Sequence, residues 1–264
     1  MKIMSWNCNG SFRDSIKEIN RKDSKLYVDA DIYVICECEN PNEPLAKYEE
    51  YKELVGNNYY WIGDLHYKGL GVFAKEDVDL KEIETNGNFE FFKALRVNDS
   101  FNLLAVWAQD KDKEKRLNPY VEMIHDFYDA NTELFDENLI ICGDFNSSTH
   151  FNNKHKSKDD DGNPKNHTNL DIKLNNNGLY SIYHTLSNEE NGKETKQTFY
   201  QARHLNHYFH LDYVYACKEI IDETTLIENG KRTSEELHNT YEILDYYEWT
   251  CLSDHLPIVF EIEN

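Results

Sequence analysis

Leu139-Ile-Ile-Cys-Gly-Asp-Phe-Asn146 sets four apolar residues ahead of a glycine, an acid and an amide. A short apolar run that stops at a turn signal reads as a buried strand, Leu139–Cys142. Polar groups at the end of such a strand stand where ligands collect on α/β sheets. Alone, the tail Gly143 to Asn146 also fits a turn in which Asp144 and Asn146 cap nearby amides.

Outward from this strand the pattern recurs. Strands are expected at Ile3–Trp6, Ile32–Cys36, Tyr59–Ile62, Gly71–Ala74, Phe91–Val97, Leu103–Trp107, Leu179–Tyr183, Leu211–Ala216 and Ile258–Ile262. Several lack a polar face, which suggests sheets covered on both sides. Helices are expected at about 12–27, 44–55, 119–135 and 168–177. In the third, Pro119 suits the first turn, and Val121, Ile124, Phe127, Tyr128 and Leu134 share a face. The fourth reads as capped by Thr168 and stopped at Gly178. Strands and helices mixed throughout suggest one α/β domain of packed layers over residues 1–264.

Composition narrows the partners. A net charge of −21 repels anionic membranes and bulk DNA, although a local patch and divalent cations can reverse the field where a substrate docks. No run approaches ~18 apolar residues, and the start, Met1-Lys-Ile-Met-Ser-Trp6, turns polar too early for a secretory segment. The expected compartment is the cytoplasm, with no membrane and no obligate protein partner. The cysteines at 8, 36, 38, 142, 217 and 251 read as reduced core thiols. Cys36 and Cys38 have no second Cys/His pair to complete a zinc site. The apolar-free stretch Asn152–Asn166 reads as a solvated loop; Ser157 and Thr168 stand where a calcium loop needs acids.

Other expected strands end or begin in chemistry as well. Asn7 closes the first, and Glu37 follows the second. Asp212 heads Leu211–Ala216, and Ser253-Asp254-His255 precedes the last. Each has a plain alternative as a solvated or capping side chain. Their occurrence in this order along the whole chain is what carries weight.

Jointly, these blocks resemble the endonuclease/exonuclease/phosphatase superfamily, the DNase I-like metal-dependent phosphoesterases. The matching stretches are Trp6-Asn-x-x-Gly10, Asp31-Ile-x-x-x-x-Glu37, Gly69-Leu-Gly71-Val-Phe-Ala-Lys75, Gly143-Asp-Phe-Asn146, Leu211-Asp-Tyr213 and Ser253-Asp-His-x-Pro257. The resemblance covers residues 3 to 262, and the last three motifs are the specific ones. The resemblance implies an α/β (α+β) four-layer sandwich: two mostly antiparallel β-sheets packed face to face, with helices on the outside.

It also implies hydrolysis of a phosphate ester with Mg²⁺ or Mn²⁺, hard ions that prefer carboxylate and amide oxygens. Glu37 is the first expected ligand, with Asn7 and Asp254. Asp144 would orient or deprotonate the attacking water, and Asn146 would hold that water or a phosphate oxygen. Asp212 would hydrogen-bond His255, whose imidazolium would donate to the phosphate. Which of Asp144 and His255 is the base stays open.

Related enzymes usually place a His or Tyr near the end of the central strand to contact phosphate; here that position is Trp107. An indole N–H donates one hydrogen bond and carries no charge, and Trp107 also fits as core. The window Thr195–Leu211 offers replacements: Lys196, Arg203 and three histidines among aromatics, with no acid. Such a mixture suits phosphates and stacked bases. His210, two residues before Asp212, is expected to face the metal site, with His167 and His150 as further candidates; each also fits a structural role. The leading reading is a Mg²⁺-dependent DNA nuclease, endo- or exonucleolytic. The alternatives are a phosphatase or phosphodiesterase for a small phosphorylated molecule, and an inactive binding protein.

Overall fold

In the strand Leu139–Asp144, Ile140 and Cys142 pack into one apolar cluster, whereas Leu139 and Ile141 pack into another. The same alternation separates Leu103 and Ala105 from Leu104 and Val106, and Val214 and Ala216 from Tyr213 and Tyr215. A strand that is apolar on both sides must be covered on both sides, and that requirement builds the layers.

The computed structural model describes residues 1–10, 12–42, 56, 58–109, 119–152, 164–228 and 230–263. Among them, eight strands form one sheet in the order β14 (Lys231–Arg232), β13 (Thr224–Glu228), β15 (Asn239–Ile243), β16 (Ile258–Glu261), β1 (Lys2–Asn7), β2 (Ile32–Cys38), β4 (Lys68–Ala74), β3 (Tyr59–Leu65). Six form the other: β5 (Leu80–Glu82), β6 (Phe92–Val97), β7 (Phe101–Trp107), β8 (Leu139–Asp144), β12 (Asp212–Cys217), β9 (Leu179–Ser181). A small hairpin pairs β10 (Phe199–Tyr200) with β11 (Tyr208–Phe209). Neighbours are antiparallel except β1–β2, β13–β15 and β7–β8.

One core cluster joins residues of both sheets, from Ile3 and Val34 to Leu103 and Val214, so the sheets lie face to face. The outer face of the six-stranded sheet packs on α2 (Pro119–Ala130) through Val121, Ile124 and Phe127, and on α3 (His167–Asn176) through Leu170 and Leu174. Phe12 of α1 (Phe12–Ile19) stacks on Phe73, and Trp249 of α6 (Tyr247–Leu252), the helix after α5 (Lys218–Asp222), meets Trp6 edge-on, which covers the eight-stranded sheet. The result is the α/β sandwich expected from the motifs. No helix among the described residues is long and apolar enough to cross a membrane.

Several boundaries differ from the sequence reading. α1 ends at Ile19 rather than near 27, because Ser24 turns the chain, its hydroxyl bonding Glu18 and the Leu26 amide. α3 is capped by Asn166, which accepts from the Asn169 amide, and not by Thr168. Leu179–Tyr183 splits into β9 and α4 (Ile182–Ser187). The expected helix 44–55 and most of the solvated loop, 153–163, lie outside the described residues. All six cysteines are free and only Cys251 is exposed; Cys36 and Cys38 donate to the Val106 and Ile35 carbonyls, a packing role rather than a zinc pair.

Candidate active site

Trp107, Asp144 and Asp212 stand side by side across β7, β8 and β12, in register. Each continues the parity that faces the opposite sheet, as Ala105, Cys142 and Val214 do one step deeper. At this edge the inter-sheet core changes from apolar to polar. Asn7, the last residue of β1, meets the row from the other sheet: its Nδ2 donates to Asp144 Oδ2 at 2.9 Å. Asn146, at φ +47°, turns back so that its backbone N–H and Nδ2 donate to the two Asp144 oxygens at 2.8 Å each.

His255 reaches the row from the loop before β16. Its Nδ1 lies 2.9 Å from Asp212 Oδ2, and both side chains are buried. That loop is tied down by the neighbouring motif residues. Ser253 donates its hydroxyl to the Asn7 carbonyl and accepts the His255 amide, while the Trp6 indole donates to the His255 carbonyl. The Asp212 backbone is held by Thr198, whose Oγ1 accepts from the Leu211 and Asp212 amides at 2.9 and 3.0 Å. Nothing in the sequence pattern singled out Thr198.

Oxygen and nitrogen ligand atoms of Asp144, Asp212 and His255 all lie within 4.8 Å of one another, a geometry able to hold a metal ion. Burial lifts the Asp144 carboxyl to about 7, against the pull of His255 beside it. Burial works the other way on His255, yet the Asp212 and Asp144 carboxylates overcome it and raise the imidazole to about 10. Two buried acids thus face one imidazolium, which leaves positive charge in deficit when both acids are ionised. A divalent cation fits that deficit.

Glu37 lies in a β-bulge: Cys36 pairs with Leu70 and Cys38 with Gly69, leaving Glu37 unpaired at φ +64°. Such a backbone costs a non-glycine residue on the order of 1 kcal/mol or more, and bulges re-aim side chains. Glu37 Oε2 meets the Lys68 ammonium at 2.8 Å, so this carboxylate too faces a cation. Asp254 is partly exposed next to His255, with its carbonyl accepting from the Tyr200 amide.

The sequence model of the Endonuclease/Exonuclease/phosphatase family matches residues 4–255. The chain belongs to this family. It is a phosphoester hydrolase, the activity for which the family is named. No curated protein matches the sequence. Solved structures of the same fold include a 3′ phosphatase from Neisseria bound to product DNA hairpin, 17% identical with a TM-score of 0.58 and 100% of both chains covered. An AP endonuclease from Archaeoglobus fulgidus is 16% identical, with a TM-score of 0.60 and 100% of both chains covered. A truncated TDP2 from Caenorhabditis elegans is 12% identical, with a TM-score of 0.52, over 98% of this chain and 96% of that one.

Within this family member, the side chains expected to touch substrate separate into groups. Trp107 is at the site but buried, and its indole N–H has no hydrogen-bond partner among the described residues. His167 and His210 are corrections to the sequence reading. His167 is fully buried between Ser147 and Asn191, and its imidazole is lowered by burial. His210 packs on Tyr183 and His184 with Nδ1 on the Lys196 carbonyl, and burial lowers it to about 4. Both are neutral core imidazoles. The i, i+2 rule failed for His210 because it precedes β12 and does not share its pleat. Arg203 is exposed, but its guanidinium is spent on the Cys251 and Leu252 carbonyls, pinning the β10–β11 hairpin to α6. Phe199 and Lys68, neither singled out by the sequence reading, do reach the site. The Phe199 ring lies 4.6 Å from that of His255, and its strand bridges to His255.

Proposed function

We propose that the chain is a divalent-metal-dependent phosphodiester hydrolase whose substrate is DNA. The observation that carries the substrate is the β10–β11 hairpin. Phe199 at its base packs against His255, and residues 201–208 are all exposed, with two histidines, an arginine and a tyrosine and no acid. On a chain of net charge −21, such a segment beside the catalytic row suits the backbone and bases of a nucleic acid.

Glu37 and Asn7, with Asp254, would hold a Mg²⁺ or Mn²⁺ ion, which would supply positive charge to the phosphate oxygens. The protein's own groups do the rest. Asp144 takes the proton of the attacking water as its oxygen bonds to phosphorus and the bond to the leaving oxygen breaks. Asn7 and Asn146 orient Asp144 by donating to its oxygens. His255, kept protonated by Asp212, is poor as a base and well suited to donate from Nε2 to the phosphate as negative charge builds.

The experiment is hydrolysis of labelled single- and double-stranded DNA, RNA and a phosphomonoester in Mg²⁺, Mn²⁺ or EDTA. An Asp144→Asn, His255→Ala double variant controls for contaminants. Metal-dependent DNA cleavage that vanishes in the double variant supports the proposal; no cleavage of DNA under any metal sinks it. The acidic surface favours one second reading, a phosphatase acting on a small or terminal phosphate. Turnover of the monoester alone would establish that one.

A further inference from the structure

Glu37, an expected metal ligand, is paired with a cation of the chain itself. Lys68 Nζ lies 2.8 Å from Glu37 Oε2, and the same ammonium lies 5.4 Å from the centre of the Trp107 ring. Three local features bring them together. The bulge turns Glu37 out of its pleat; Lys68 begins β4 on the parity of Leu70, the partner of Cys36; Trp107 ends β7 beside Asp144. Trp107 Nε1 is a buried donor with no acceptor among the described residues, in the ring beside that ammonium. Two donors, one charged, thus converge beside Glu37.

A carboxylate in contact with a divalent ion cannot keep an ammonium at hydrogen-bond distance without strong repulsion between the cations. The Lys68 side chain is 40% exposed on a flexible stem, so its head group is free to move, and the aromatic face gives it a favourable path. We infer that Lys68 is an exchangeable cation. It neutralises Glu37 in the metal-free protein; when a divalent ion takes Glu37, it turns over Trp107 onto a phosphate of the substrate, where the indole N–H joins it. This rests on the metal-dependent reading above.

The test compares wild type with Lys68→Met and Lys68→Arg, each checked for an unchanged circular dichroism spectrum. Mn²⁺ affinity is measured by calorimetry. Binding of a labelled DNA oligonucleotide in Mn²⁺ is measured by anisotropy in an Asp144→Asn background, which blocks cleavage. Removing the competing ammonium should tighten Mn²⁺ in Lys68→Met by about two- to fivefold. The oligonucleotide should bind about five- to tenfold more weakly, with the salt dependence reduced by about one phosphate contact. Lys68→Arg should recover most of the oligonucleotide affinity. A merely structural lysine would not move the two affinities in opposite directions. Unchanged or weaker Mn²⁺ binding in Lys68→Met overturns the exchange, and unchanged oligonucleotide binding overturns the transfer. If wild type binds Mn²⁺ and cuts DNA while the variants match it, only this inference falls; if wild type binds no Mn²⁺, the metal-dependent reading falls with it.

Discussion

The side-chain amide of Asn7 donates to Asp144 Oδ2 at 2.9 Å, joining the end of β1 in one sheet to the end of β8 in the other. This bond crosses the sandwich where its core becomes a site. Removing a group that orients a catalytic carboxylate typically costs about 10- to 100-fold in activity. Asn7→Ala is expected to lose that much kcat with little loss of stability. Asn7→Asp should lose more, because a second carboxylate beside Asp144 pushes its carboxyl up further. A pH–rate profile reads this as a rising limb displaced to higher pH in Asn7→Asp; an unmoved limb would contradict the role given to Asn7.

Gly143 has φ +141°, and a Cβ there would lie 1.8 Å from the Val106 carbonyl oxygen. That carbonyl belongs to the paired strand β7 and accepts the Cys36 thiol, so it has no room to retreat. The glycine of Gly143-Asp-Phe-Asn146 is therefore required by the close approach of two backbones. Gly143→Ala should destabilise by at least about 4 kcal/mol and melt on the order of 10 °C lower. A thermal melt matching wild type would refute the argument.

Stability should fall as pH rises above neutrality. The folded protein raises His255 from 6.5 to about 10, so it keeps a proton that the unfolded chain releases. That contribution is complete below pH 6.5 and disappears as the pH climbs through 10, at no more than about 1.4 kcal/mol per pH unit. Asp144, raised from 3.8 to about 7, acts in the same sense over the lower window from about 4 to 7. The buried His167 and His210, lowered by burial, oppose Asp144 below pH 6.5, so melting curves in EDTA should decline between about pH 7 and 10. Asp212→Asn should flatten the upper part, since Asp212 is the main cause of the His255 shift.

Divalent ions should both activate and stabilise. A ligand that binds only the folded state at 100 times its Kd adds about 2.7 kcal/mol, or roughly 5–10 °C for a chain of this size. Mn²⁺ should raise the melting temperature of wild type, EDTA should reverse this and abolish turnover, and Glu37→Gln should blunt both. The bound cation should also pull the Asp144 carboxyl down, so the rising limb of the pH–rate profile is expected below 7. No thermal shift with Mn²⁺ would remove the metal from the mechanism.

Thr198 offers a test of positioning at a distance from the chemistry. Its hydroxyl accepts the amides of both Leu211 and Asp212, and its carbonyl accepts the Leu256 amide next to His255. Thr198→Val keeps the shape and strands two buried N–H groups, at about 1–3 kcal/mol each. Lower kcat and lower melting temperature are expected together, with Thr198→Ser restoring both. A stable, fully active Thr198→Val would show that Asp212 needs no such support.

Much of the sandwich was legible in particular residues. Ile140, Ile141 and Cys142 announced a strand covered on both faces, and Pro119 with Val121, Ile124 and Phe127 announced the helix that covers it. The strands Thr224–Glu228 and Asn239–Ile243 went unread because threonine, asparagine and glutamate dilute their apolar pattern toward the edge of the sheet. Ile182 and Tyr183 read as strand because a short apolar run has no distinguishing period; the chain there turns into a helix after Ser181. In the site, Asn7, Glu37, Asp144, Asp212 and His255 stood out because each is a polar residue at the limit of an apolar run. Lys68, Thr198 and Phe199 carried no such mark.

The letters alone determined which strands are apolar on both faces and which polar residues end them, because alternation and its interruption are properties of neighbours in the chain. They also determined a family motif order that covers residues 4–255. Only the tertiary structure decided that Trp107, Asp144 and Asp212 form one row, that Asn7 closes it from the opposite sheet, and that Glu37 faces Lys68. It alone separated His255, charged beside Asp212, from His167 and His210, neutral in the core. The physical reason is that charge and hydrogen bonding act through space over a few ångströms. The groups that hold each site residue lie as many as 249 residues away along the chain, as Trp6 does from His255.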